Sequence, residues 1–163
     1  MKPRKPTSTD PDPRVAMAGV MEIYEDLGRR PLERACIGRA DCCHFLRTGR
    51  TPYLTRGEAL VAARAWRAAG RTTVPPQGPD GACPFLANGR CLIHKDRPFG
   101  CRTHFCAAAG GPMARAEVRD LIQRLEAIDI TLGGDGAVNL PLAVRGAMEI
   151  TGGRGSGRGR QTR

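Results

Sequence analysis

Apolar positions recur at helical spacing in three stretches of the chain. Asp12-Pro13 reads as an N-cap followed by a first-turn proline. Met17, Val20, Met21, Tyr24 and Leu27 then fall on one face before Gly28, which predicts an amphipathic helix that stops there. Thr55-Arg-Gly-Glu58 is a capping box, because its hydroxyl and its carboxylate can each bond the other's backbone N–H. It opens a second helix with Ala59, Ala62, Ala63 and Trp66 on a face of mostly small residues, ending before Gly70. The third runs from Pro112 as first helical residue, with Val118, Leu121, Ile122, Leu125 and Ile128 inward. Glu117, Arg119, Asp120, Arg124 and Glu126 lie mostly on its wet side. Val138 to Ile150 is a shorter apolar segment, interrupted by Pro141 and predicted to close in a short helix. Gly133-Gly-Asp-Gly136 before it is a turn.

Strand patterning appears in one place. Asn88-Gly89 tolerates the positive φ angles of a two-residue turn, folding Cys83-Pro-Phe-Leu back against Arg90-Cys-Leu-Ile-His. Alternation along the second strand sends Cys91 and His94 to opposite faces, an arrangement in which the two do not readily share one ion. Arg97-Pro98 then breaks regular structure, and Gly100 permits a close approach to Cys101. The expected fold is mainly α with a short β-hairpin, a small irregular Cys-rich metal-binding domain. Residues 1–11 are expected to form a disordered arm, 12–150 a single domain with its motif core at 36–106, and 151–163 a disordered Arg/Gly-rich tail.

Composition narrows the picture. A chain of 163 residues suits one modest domain, and an aromatic content of 4% implies a thin core, to which bound metal adds folding free energy. Of the +10 formal charge most sits in the two ends, and 23 of the 26 basic residues are Arg, a bias that weakens a nucleic-acid reading of the high pI. The tail resembles an RGG-type RNA-binding segment, but it is a single short copy without aromatic residues. The N-terminal residues lack the apolar run of a signal peptide, and no stretch is apolar enough to span a membrane. A cytoplasmic protein is expected. In a reducing compartment its seven cysteines read as ligands or catalytic thiols rather than disulfides.

Those cysteines fall into two groups. Cys36, Cys42 and Cys43 precede the Thr55 helix, and Cys83, Cys91, Cys101 and Cys106 follow it. Adjacent cysteines point apart, so one of Cys42 and Cys43 is expected as primary ligand. His44, His94 and His104 are possible further ligands. Arg97 and Arg102 flank Cys101 and are expected to bond carbonyls or Asp96, locking this knuckle. Trp66 and the methionine stripe are read as core packing.

Cys83-Pro-Phe-Leu86, Gly89-Arg-Cys-Leu-Ile-His94 and Arg97-Pro-Phe-Gly-Cys-Arg102 resemble the second half of the YkgJ-type cysteine-cluster family, the CxxCxxCC zinc- or iron-chelating domain. The family pattern places cysteines at 36, 39, 42 and 43, and this chain carries Arg39 at one of them. The resemblance covers residues 36–106 and implies metal chelation. Similar segments are fused to flagellin lysine methylases, but no further domain here is large enough to supply that activity.

Four thiolates serve either a closed zinc site or an iron–sulfur cluster. An excess of thiols over nearby histidines favours iron–sulfur, with zinc as the alternative. Three functions follow: an iron–sulfur protein in electron transfer or redox sensing, with an unknown redox or protein partner; a zinc-stabilised module whose Arg97, Arg102 and tail contact an acidic partner or RNA; or metal storage and delivery. No Ser/His/Asp set, nucleotide loop, paired carboxylate or CxxxCxxC spacing supports an enzyme.

Overall fold

Three longer helices and two short strand pairs, seen in a computed structural model that describes residues 11–78 and 80–152, surround a fourth, central helix. The expected arm lies outside the described residues except for Pro11, and so does the tail beyond Gly152.

Helix α1 spans Pro13–Arg29, with the Asp12 carboxylate accepting from the Arg14 N–H at 2.9 Å, and it buries Ala16, Val20, Ile23, Tyr24 and Leu27. It runs one residue past the expected stop at Gly28, and the next residue, Arg30, donates to the Glu117 carbonyl and pairs with Asp120. A single turn, α2 (Phe45–Thr48), and strand β1 (Tyr53–Leu54) lead to α3, Arg56–Ala68, which opens with the expected capping box.

Helix α3 is the centre of the molecule. It packs against α1, against α5 (Arg119–Thr131) and against α6 (Leu140–Gly152). Its small residues permit this. A side chain at Gly57 would meet Val20 at 2.9 Å and Ile128 at 3.1 Å, so α1 and α5 converge over that position. Val61 joins a core with Ile23, Tyr24, Leu27, Leu121 and Leu125. Ala62, Ala63 and Trp66 join another with Leu54, Phe85, Leu140 and Val144.

Two helix starts differ from the expected ones. Pro112 does not begin α5: the Met113 N–H ties this stretch to the Thr103 carbonyl, and a 3-10 turn, Arg115–Val118, precedes the helix. Pro141 does not interrupt α6, because it sits in the first turn, where a missing N–H costs little; the helix continues to Gly152, past the expected tail boundary. The hairpin forms as expected from β2 (Leu86–Ala87) and β3 (Arg90–Cys91), with Asn88 at φ 50° and Gly89 at φ 70°. A second antiparallel pair, β1 with β4 (Val138–Asn139), was not apparent from patterning. Among the described residues no helix is long and apolar enough to cross a membrane.

One polar group ties these elements together. The Glu58 carboxylate, 3% exposed, accepts from the Thr55 N–H at 2.9 Å, the Thr55 hydroxyl at 3.0 Å, the Phe99 N–H at 2.9 Å and the Tyr24 hydroxyl at 3.4 Å. It therefore caps α3 and the short helix α4 (Phe99–Thr103) at once, and fixes α1 to both. Burial raises its pKa above the ordinary carboxylate range, partly offset by these hydrogen bonds. The folded state thus binds this proton more tightly than the unfolded chain. Glu58 should make stability fall as pH rises from the ordinary carboxylate range through its raised value. Urea midpoints measured across pH should show that slope in the native protein and a flatter one in Glu58→Gln. Glu58→Ala, which strands several buried donors, should cost about 3 kcal/mol.

Candidate functional site

The two cysteine groups meet along a short backbone seam. The Cys83 N–H donates to the Cys43 carbonyl at 2.7 Å, the Phe45 N–H donates to the Gly81 carbonyl at 3.1 Å, and His44 and Ala82 pair between them. Gly81 is required here on two counts: its φ is +68°, and a side chain would run into Leu46. On the near side of the seam, Asp41–Cys43 form a 3-10 turn entered through Ala40 at φ 56°. On the far side the hairpin carries Cys91, a 3-10 turn carries His94, and α4, capped by Glu58, carries Cys101.

The result is one cavity of about 250 Å³ lined by all seven cysteines together with His94 and His104. Phe45, Phe85, Phe105, Pro98 and Leu140 supply apolar walls. Cys83 is buried, Cys36 is exposed at the mouth, and the other five are half-buried. Cys36 Sγ lies 3.9 Å from His94 Nε2. Two expectations change. Cys91 and His94 line the same cavity, because the chain leaves the extended conformation after Cys91 and strand alternation no longer applies. Cys42 and Cys43 both reach the cavity, because the tight turn that holds them curls around it. His44 is turned away, its Nδ1 at 3.1 Å from the Asp80 carboxylate. Among the described residues, no three His, Cys, Asp or Glu side chains are grouped to hold a single metal ion. The side chains available to a larger soft group are the seven thiols, His94 and His104.

Comparison with family models, curated proteins and solved structures finds no match to this chain.

The thiols do not titrate alike. A hydrogen bond from Cys43 lowers the Cys42 pKa to about 6, with Arg97 adding to the effect against the cost of burial. Cys43, which holds the shared proton, is raised correspondingly. Burial pushes Cys83 up to about 12 and raises Cys91 and Cys101 as well, and Cys101 is raised further by Cys83, Cys91 and Cys42. Closely packed thiols in an apolar cavity resist joint ionisation unless a cation sits among them. Burial lowers His94, with Arg97 and Arg102 adding to it, so its imidazole is held neutral, the state in which a histidine binds metal.

Arg102 and Arg97 bond carbonyls, as expected. Arg102 donates to the Arg97 carbonyl at 2.8 Å and the Lys95 carbonyl at 2.6 Å, and its guanidinium lies 4.1 Å from the Tyr24 ring centroid. Arg97 donates to the His94 carbonyl at 3.0 Å and lies against its ring. Sequence reasoning missed that Glu58 serves this site. Its capping box was legible, but nothing local signals that the same carboxylate also receives the Phe99 N–H. A wider groove of about 840 Å³ beside α5 contains no thiol. Its buried carboxylates are already committed, Glu58 to the two caps and Asp129 to the N–H groups of Arg56 at 2.7 Å and Gly136 at 3.1 Å.

Two substitutions test this framework. Arg102→Ala should lower stability by about 1–3 kcal/mol, and Lys should restore little, because one ammonium does not reproduce a two-carbonyl fork packed on Tyr24. Gly81→Ala should cost about 2 kcal/mol through its positive φ and the collision with Leu46. Denaturant melts check both, and thiol-alkylation rates should rise in Gly81→Ala as the seam opens.

Proposed function

We propose that this protein holds an iron–sulfur cluster in its thiol-lined cavity and acts in electron transfer or redox sensing. The observation that carries the reading is that seven thiols, drawn from two separated segments, line one largely apolar cavity of about 250 Å³. Ligands of a single zinc ion converge on one point, whereas the ligands of a cluster bind different iron atoms around a volume. The donor set is soft and dominated by sulfur, which fits iron–sulfur chemistry. The resemblance of Cys83–Arg102 to the YkgJ-type family supports metal chelation at this site. A reducing compartment such as the cytoplasm keeps the thiols available.

A cluster bound here supplies one-electron redox chemistry. The chain's own residues set the conditions for it. Phe45, Phe85, Phe105 and Leu140 keep water from the inner thiols, and Arg97 offsets thiolate charge at Cys42 and Cys91. Glu58, through the cap on α4, fixes the helix that bears Cys101. Low-dielectric walls and nearby cations are the levers by which such a protein tunes a cluster's potential.

Protein purified without oxygen should contain iron and matching acid-labile sulfide, with visible charge-transfer absorption that is lost in Cys83→Ser. Trp66 provides an independent readout. It is the sole tryptophan and packs on the cavity-lining Phe85 at a centroid distance of 5.0 Å, so its emission should be quenched in loaded protein and recover when the cluster is removed. Stoichiometric zinc without sulfide, and unquenched Trp66, would replace this reading with that of a zinc-stabilised binding module.

A further inference from the structure

We infer that the mouth of the thiol cavity is the docking face for an acidic one-electron carrier protein; this rests on the iron–sulfur reading and names the partner of that site. Three arginines, Arg39, Arg90 and Arg97, line the cavity against a single carboxylate, Asp41, which pairs with Arg39 at 3.1 Å. Among the described residues no carboxylate forms an ion pair with Arg90 or Arg97. Arg90 is exposed on the hairpin, and Lys95 is exposed in the following turn. The residues that line the cavity therefore carry a surplus of positive charge, with Arg90 exposed.

The same lining also presents exposed apolar surface. Ile37, 53% exposed, lines it beside the exposed Cys36, with Gly38 and Gly89 leaving the approach low. A small apolar patch ringed by charge of one sign is the form of a transient electron-transfer interface: the charges steer encounter, and the limited area lets the partners separate. Of the cavity's thiols, Cys36 is the exposed one and so the one a carrier can reach.

A nucleic acid would also answer the charge, but the rest of the rim does not suit one. The aromatic side chains that line the cavity, Phe45, Phe85 and Phe105, are all buried, so none is presented for base stacking. The three lining arginines belong to one cavity and not to an extended groove. In the transfer itself one electron would leave the reduced carrier, which is thereby oxidised, and would reduce the oxidised iron–sulfur cluster held by the cavity thiols; no bond is made or broken and no proton is required.

The test uses the full-length protein and a reduced acidic [2Fe–2S] ferredoxin as probe, with anaerobic stopped-flow for electron exchange and calorimetric titration for binding, each from low to high salt. Arg90→Gln and Arg90→Glu should slow exchange and weaken binding in graded fashion at low salt, with the charge reversal reaching about tenfold, and all variants should converge at high salt. Arg119→Glu, on the distant α5, should match the native protein. Salt-independent exchange, indifference to both Arg90 variants, or equal binding of a basic cytochrome c would overturn the inference. So would loss of single-stranded RNA binding in Arg90→Glu with ferredoxin binding unchanged. If the protein proves to hold no cluster, the exchange signal is absent and the iron–sulfur reading fails. The calorimetric arm still decides the docking face.

Discussion

A fully buried carboxylate is normally a liability, and here it is the joint on which the structure turns. Glu58 satisfies the free N–H groups of two helices and takes a hydroxyl from a third element, so its desolvation is offset by four donors supplied from three places. Moving any of these elements would leave a donor or the carboxylate unpaired in an apolar interior. α1, α3 and α4 are thereby held in register, and with α4 the position of Cys101. Asp129, on α5, repeats the device at the start of α3, accepting from the Arg56 N–H and closing the loop at Gly136. A thin, small-residue core is in this way supplemented by long-range capping.

Much of the fold was legible because its signals are local. Asp12-Pro13, the Thr55–Glu58 box and the Asn88-Gly89 turn each act within a few residues, and each appears where the sequence places it. The errors arose where distant partners override local preference. Pro112 looks like a helix start, but the stretch after it is tied to the Thr103 carbonyl and passes through a 3-10 turn before α5 begins at Arg119. The pairing of β1 with β4 joins two-residue strands too short for alternation to register.

The site divides in the same manner. The clustering of cysteines identified the residues, but not how two segments meet, since the seam at Cys43 and Cys83 is made by backbone groups that every residue carries. His94 was separated from Cys91 by strand logic that holds only while a strand continues, and this one ends at Cys91. Glu58 belonged to the site through its second cap, a relation across forty-one positions that no spacing rule reports.

The seam has a consequence for how the protein comes into being. Cys36, Cys42 and Cys43 leave the ribosome first, and the strand that completes their surroundings emerges only after all of α3. Until Gly81 and Cys83 arrive, the leading thiols have no enclosure, and the later four have none without them. The enclosed cavity can therefore form only once the central helix has been made.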